Sequence, residues 1–131
     1  MTQESLIEER TFAFALRIVK AYKYLRNNHN EYVLSIQLLR SGTSIGAMMR
    51  EAKFAQSRAD FVNKASIALK EANETLYWIE LLHESNYFDD QSFNSIHDEA
   101  NQITAILVSI VKSTKQNTEK YDLIKGDFLN S

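Results

Sequence analysis

The chain contains no cysteine and no proline, and only three glycines among its 131 residues. Without cysteine it can form neither a disulfide nor a thiolate metal site. Without proline it lacks the residue that most often breaks helices, which favours long helices. No apolar run approaches the roughly 18 residues that a membrane span needs, and the charged N-terminus MTQESLIEER predicts no signal peptide. We therefore expect a cytoplasmic protein that does not span a membrane.

Apolar residues recur at helical spacing in four segments, which predicts four helices. The stripes are Ile7, Phe14, Ile18, Ala21 and Leu25; Leu34, Leu38, Ile45 and Met49; Phe61, Ala65, Ala68, Ala72, Leu76 and Ile79; and Phe93, Ile96, Ala100, Ile103, Leu107 and Ile110. Short connections between such helices predict an all-α, antiparallel, up-down-up-down bundle. We expect one domain over residues 1–116, followed by a polar, loosely ordered tail over 117–131.

Two of the three glycines fall in the stretch LLRSGTSIGAMMREA, residues 38–52. A phosphate-binding loop would need a preceding strand and a lysine after its last glycine, and neither is present. Each glycine inside a helix costs about 1 kcal/mol relative to alanine, so a close contact must offset that cost. We therefore predict that Gly42 and Gly46 are sites of tight helix packing, within the bundle or between subunits.

The residues able to support catalysis form no complete constellation. Glu80 and His83 make one Glu-x-x-His pair, but a di-iron bundle needs two such pairs and two further glutamates. Glu71 and Glu74 share a helix and can act as acid and base only if burial separates their pKa values. We predict no enzyme, no metal and no cofactor. An enzyme that uses Glu71, Glu74 or His83 stays as an alternative from another class.

Charge is distributed unevenly along the chain, although the net charge is only −2. Residues 38–70 contain six Lys and Arg against two acids, whereas residues 71–99 contain eight acids and neither Lys nor Arg. An up-down bundle places the turn between its second and third helices at one end. We predict that a nucleic-acid-binding surface lies at that end, formed by Arg50, Lys53, Arg58 and Lys64.

Two adjacent aromatic residues, Tyr77 and Trp78, lie off the apolar stripe of the third helix. Neighbouring residues point about 100° apart on a helix, so both cannot face the core. Aromatic side chains outside a core are typical of subunit interfaces. We therefore predict a homo-oligomer that uses Tyr77 and Trp78.

The stretches QLLRSGTSIGAMMREA and SRADFVNKASIALKEANETLYWIELL carry a resemblance to a known family. They resemble the four-helix-bundle proteins encoded in intervening sequences of bacterial 23S ribosomal RNA genes. That family is similar to the accessory variability protein of diversity-generating retroelements. The matching positions are Arg40, Ser44, Ile45, Ala47, Glu51, Phe61, Ile67, Ala68, Leu69, Glu74 and Trp78. The chain departs from many members at Gly46, Met48 and Ala52, where they have proline, asparagine and glycine.

The resemblance implies a left-handed four-helix bundle that assembles as a ring, commonly a pentamer. The retroelement relative binds nucleic acid and a reverse transcriptase, and no catalytic residues carry over. Our hypothesis is therefore a ribosome-associated, non-enzymatic oligomer that binds structured RNA, or a nucleoprotein such as a reverse transcriptase. The first alternative is a scaffold whose partner is another protein.

Overall fold

The computed structural model describes the backbone of residues 3–130 and the side chains of residues 6–116. Its helices are α1 Gln3–His29, α2 Leu34–Lys53, α3 Arg58–Glu84 and α4 Asp90–Asn130. No strand occurs in the described backbone. Each helix packs against its two neighbours, and the diagonal pairs α1–α3 and α2–α4 share no contacts there. The predicted all-α four-helix bundle is confirmed.

The apolar stripes form one continuous core along the bundle axis. The largest fully buried side chains include Phe14, Ile18, Leu38 and Leu107. Some stripe residues, such as Phe61 and Phe93, are only half-buried because they lie where the stripe meets the bundle surface. Burial of this kind contributes about 1.5–3 kcal/mol for each large apolar side chain, which makes the core the main source of stability.

The helix α4 is the longest element and continues to Asn130. Its side chains are described only as far as Gln116. The proposed boundary between a domain at 1–116 and a loosely ordered tail at 117–131 therefore lies outside the described side chains and stays a prediction.

Glycines bring α1 and α2 close together at two levels. A Cβ built on Gly42 would lie 2.7 Å from Cγ1 of Ile18, and one built on Gly46 would lie 3.2 Å from the backbone oxygen of Thr11. The first distance is shorter than real Cβ contacts allow, and the second is tighter than most of them. The two glycines therefore lie where α1 leaves no room for a side chain on α2.

A buried carboxylate, Glu31, holds the start of α2. It is 8% exposed, and it accepts hydrogen bonds from the backbone N–H groups of Val33, Leu34 and Ser35 at 3.1, 2.9 and 2.6 Å. Burial alone would raise the pKa of Glu31. The N–H groups of Leu34, Ser35 and Val33, together with Ser35 Oγ, outweigh it and lower the pKa below its ordinary value of 4.5. Glu31 thus satisfies N–H groups that the first turn of a helix leaves free.

We expect Glu31→Gln to destabilise the bundle by about 1–3 kcal/mol at neutral pH, since the amide offers one acceptor oxygen instead of two and no charge. Because folding lowers the pKa of Glu31, its ionised form stabilises the fold above pH 4.5. That contribution disappears as the pH falls from there through the lower folded-state pKa. Urea unfolding of both proteins at pH 7 and at about pH 3 should show a smaller difference at the lower pH.

The control for this measurement is Glu9→Gln, because Glu9 is exposed on α1. It should have a negligible effect at either pH. An equal gap between wild type and Glu31→Gln at both pH values would contradict the proposed role of the charge.

Candidate nucleic-acid interface

The four predicted binding residues lie at one end of the bundle, where α2 ends and α3 begins. Arg50 and Lys53 are in the last turn of α2, and Arg58 is the first residue of α3. Lys64 lies about two turns further along α3 and is the least exposed of the four. We call these four residues the basic end.

Two of these cations make long ion pairs with carboxylates of neighbouring helices. Lys53 Nζ lies 3.5 Å from Glu8 Oε2 on α1, and Lys64 Nζ lies 3.9 Å from Glu51 Oε2 on α2. Exposed pairs of this kind contribute about 0–1 kcal/mol, so a phosphate group can replace the carboxylate at little cost. Arg58 is exposed and has no ion-pair or hydrogen-bond partner within the described side chains.

Aromatic rings lie among the cations of the basic end. Phe54 follows α2 directly and is 74% exposed, with Lys53 Nζ 5.9 Å from its ring centroid. Phe12 on α1 is 53% exposed, and the guanidinium of Arg50 lies 5.7 Å from its ring. Exposed rings beside cations are what unpaired bases stack on in single-stranded nucleic acid complexes. The sequence analysis did not single out Phe54, although it lies off every apolar stripe.

The opposite end of the bundle has His83 at the end of α3 and His97 near the start of α4. The ring of Phe93 lies between His83 and His97, with centroids 3.9 and 4.7 Å away. His83 Nε2 lies 2.7 Å from Asp90 Oδ1, and His97 Nε2 lies 3.3 Å from Glu80 Oε2. The acids Glu80, Glu84, Asp89 and Asp90 thus lie at this end, together with the cations Lys23 and Arg26 of α1.

The candidate catalytic residues do not share a site. Glu71 and Glu74 both bind Arg40 of α2, and Glu74 also accepts from the indole N–H of Trp78 at 3.3 Å. His83 lies elsewhere, stacked on Phe93. A groove of about 660 Å³ lies between α1 and α4, and none of Glu71, Glu74 and His83 lines it. Among the described residues no group of three His, Asp or Glu is placed to hold a metal.

The two predicted interface residues of α3 differ in burial, because Trp78 packs against the core and Tyr77 does not. Tyr77 is 58% exposed and Trp78 is half-buried, with their rings in an edge-to-face contact at 5.0 Å. The exposed ring of Tyr77 has no part in the core. Whether a second subunit covers it stays a prediction.

This architecture, an all-α bundle of four antiparallel helices, defines the class of the protein. The chain belongs to the 23S rRNA-intervening sequence protein family, whose model matches residues 3–109. A solved structure of a protein of the S23 ribosomal protein family from Bacteroides thetaiotaomicron, described as having unknown function, is 50% identical. The two folds agree with a TM-score of 0.83 over 85% of this chain and 99% of that chain.

These comparisons confirm the family resemblance that the middle of the chain carries. Neither description names an enzymatic reaction. A comparison with curated proteins found no match. Within the part of the chain that the structure describes, no helix combines the length and the apolar character needed to cross a membrane.

Proposed function

We propose that the protein is a non-enzymatic homo-oligomer that binds structured RNA, or a nucleoprotein, through its basic end. The pentameric state is taken from the family resemblance, and a reverse transcriptase complex is one nucleoprotein of the required kind. Binding of cellular RNA would place the protein in the cytoplasm. The family's link to 23S ribosomal RNA genes makes ribosomal RNA a natural first ligand to assay.

The observation that carries this proposal is the exposure and weak pairing of the cations at the basic end. Arg50, Lys53 and Arg58 are exposed, and the ion pair that Lys53 makes is a long one. Cations in this state release counterions from a phosphate backbone and gain affinity without base contacts. In a cyclic oligomer every subunit presents the same end in the same direction, so the basic end is multiplied around the ring.

The protein-scaffold alternative has its own support in the exposed apolar side chains of α1 and α2. Phe12, Leu16 and Ile36 are each about half exposed. Contacts between copies of the chain can cover such residues, so they are compatible with an RNA-binding oligomer as well. The enzyme alternative is the weakest, because Glu71 and Glu74 both form ion pairs with Arg40.

The test is a salt titration of binding to a hairpin RNA with an unpaired loop. Four phosphate contacts per subunit predict a slope of log affinity against log salt near −3.6, or roughly a 100-fold loss between about 50 and 200 mM. Fluorescence anisotropy measures it directly. Affinity that does not respond to salt would contradict binding through the basic end.

Phe54→Ala separates stacking from charge in the same assay. Loss of a stacked base costs about 1–3 kcal/mol, so hairpin binding should weaken about tenfold while the salt slope stays the same. Val108→Ala is the matched control, because Val108 is an exposed apolar residue on α4. A fully paired duplex should bind both variants and wild type equally well.

A further inference from the structure

The groove of about 660 Å³ between α1 and α4 lies toward the end of the bundle opposite the basic end. These two helices are the least closely packed of the neighbouring pairs, and the small side chain of Ala21 leaves space between them. Phe88 and Ile96, each only 6% exposed, close the groove on the core side. Small-molecule sites occupy about 300–1,000 Å³, so the groove has the volume of a ligand site with an apolar floor.

The wall of the groove that α1 forms is cationic. Lys20 is exposed and makes no ion pair or hydrogen bond among the described side chains. Arg17 forms an ion pair with Glu99, and its other terminal nitrogen donates to Ser95 Oγ at 2.8 Å. These bonds fix the guanidinium but use only some of its five N–H donors, so others remain for a ligand. An anionic group in the groove therefore has one unpaired cation beside it and one that Glu99 holds in place.

An aromatic ring lies one turn after Lys20 on α1. Tyr24 lines the groove and is 42% exposed. Its hydroxyl lies 2.9 Å from His29 Nε2, and the two rings make an edge-to-face contact with centroids 5.0 Å apart. His29 in turn contacts the ring of Tyr87, with centroids 5.6 Å apart. Because these contacts already order Tyr24, a flat ligand can stack on its ring with little further loss of side-chain entropy.

The opposite wall of the groove offers acceptors and hydroxyl groups. Gln91, Ser92 and Ser95 of α4 line it, together with Asp89 directly before the helix. Asp89 Oδ1 accepts the Ser92 N–H at 2.7 Å, and this bond together with the Ser92 side chain lowers the pKa of Asp89 below its ordinary value of 3.8. Since the carboxylate is ionised at neutral pH, it repels a phosphate from this wall and accepts hydrogen bonds from donors such as ribose hydroxyls.

The two walls together suit a ligand with an anionic group, a flat ring and hydrogen-bond donors. Arg17 and Tyr24 lie about 10 Å apart along α1 at 1.5 Å per residue, which matches the length of a nucleotide from its phosphate to its base. We propose that the groove binds one nucleotide, with the phosphate on Lys20 and Arg17 and the base stacked on Tyr24. The nucleotide is either free or an unpaired residue of a bound RNA, and only the second source rests on the proposed function.

Ligand-observed NMR titrations with adenosine monophosphate, adenosine and inorganic phosphate test the two contacts. The wild-type protein should bind the monophosphate at least about tenfold more tightly than adenosine or phosphate, because only the monophosphate uses both contacts. Equal affinity for the monophosphate and either of its two parts would overturn the proposal. So would the absence of binding at a monophosphate concentration of about 10 mM, which lies above the range of specific small-ligand affinities.

Two variants separate the phosphate contact from the base contact. Lys20→Met keeps the aliphatic stem and removes the charge, so it should weaken monophosphate binding about tenfold and leave adenosine binding unchanged. Tyr24→Leu should weaken the binding of both by about tenfold and leave phosphate binding unchanged. The matched controls are Lys23→Met and Tyr32→Leu, since both residues are exposed and neither lines the groove. Equal losses in a variant and its control would overturn the proposed contacts.

The hairpin RNA distinguishes the two sources of the nucleotide. If the RNA supplies it, Tyr24→Leu should weaken hairpin binding and the monophosphate should compete with the hairpin. If the nucleotide is free, hairpin binding should respond to neither, while the groove still binds the monophosphate. Lys53→Glu with Arg58→Glu should leave monophosphate binding intact, because both residues lie at the other end of the bundle. A failure of the basic end to bind RNA and a failure of the groove to bind a nucleotide are thus measured separately.

Discussion

Replacement of Gly42 by leucine should destabilise the bundle by several kcal/mol, although leucine is a far better helix former. The gain in helix propensity is about 0.8–1 kcal/mol. Against it, the first added carbon would already lie within 2.9 Å of three Ile18 side-chain carbons. Overpacking of this kind costs about 1–3 kcal/mol, and more where the neighbours cannot move. Ile18 is fully buried, so the close packing around it limits how far it can shift. Thermal or urea unfolding measures the loss.

The two glycines should differ when each is replaced by alanine. At Gly42 the contact is with the inner carbons of a buried side chain, so Gly42→Ala should also destabilise. At Gly46 the nearest atom is the backbone oxygen of Thr11 at 3.2 Å, and a small retreat of α1 relieves it. Gly46→Ala should therefore lie near zero, where propensity and crowding cancel, whereas Gly46→Leu should lose several kcal/mol, about as much as the change at Gly42.

A double-mutant cycle shows whether contact with Ile18 causes the destabilisation that we expect from substitutions at Gly42. Ile18→Ala alone should cost about 2–5 kcal/mol as a cavity, and in the Gly42→Ala background it should cost clearly less. Ala47→Leu on the exposed side of α2 is the control, with an expected change within about 0.5 kcal/mol. A raised melting midpoint for Gly42→Leu would refute close packing at this glycine.

The helices could be predicted from the sequence because each one leaves a local, repeated pattern. The apolar spacing fixes which side of a helix is buried, whatever its neighbours are. The start of α3 also follows a local pattern. Ser57 Oγ accepts a hydrogen bond from the Asp60 N–H at 3.0 Å, and Asp60 Oδ2 accepts one from the Gln56 N–H at 3.2 Å. That reciprocal pattern depends only on residues a few positions apart.

Interactions that depend on the register between helices could not be predicted. Ser41 and Thr75 are fully buried polar residues that satisfy each other across α2 and α3. The sequence around either residue does not indicate that the other is its hydrogen-bond partner. Glu31 is a further case, because a charged residue in a connection usually faces solvent, and its burial follows from the path of the chain into α2.

The candidate site was predictable only in part, for the same reason. The Lys and Arg residues around the turn from α2 to α3 indicated where basic side chains would lie close together. The sequence did not show that Glu8 and Glu51 would reach Lys53 and Lys64, since those pairs form between different helices. The sequence also suggested Tyr77 and Trp78 for a subunit contact, which stays a prediction. The exposure of Phe12 and Leu16 was not predicted, because the apolar stripe of α1 indicates only which side of the helix is buried.

Reversal of two charges at the basic end, Lys53→Glu with Arg58→Glu, should abolish nucleic-acid binding while the bundle stays folded. Two phosphate contacts disappear and two repulsive ones replace them in every subunit. Because the phosphate contacts are halved, any residual binding should have a salt slope of about −1.8 or smaller in magnitude, compared with about −3.6 for the wild type. We expect an affinity loss of at least about 100-fold at low salt, measured by anisotropy with the hairpin RNA.

The fold should survive because the two changes act in opposite directions on stability. Lys53→Glu places an acid at the negative end of α2 and beside Glu8, while Arg58→Glu places one at the positive start of α3, where it is favourable. Each such effect is about 0.3–1 kcal/mol, so the sum is near zero. The lost pair between Lys53 and Glu8 is exposed and adds about 1 kcal/mol at most.

The matched control separates the effect of where the substituted charges lie from the effect of the net charge of the chain. Arg26→Glu with Lys70→Glu changes the charge of the chain by the same amount, but both residues are exposed away from the turn between α2 and α3. It should weaken binding only slightly, through the long-range field that salt screens within about 10 Å. Equal losses in the two double variants would show that net charge rather than the basic end binds the RNA. Affinity that survives Lys53→Glu with Arg58→Glu would favour the protein-scaffold alternative.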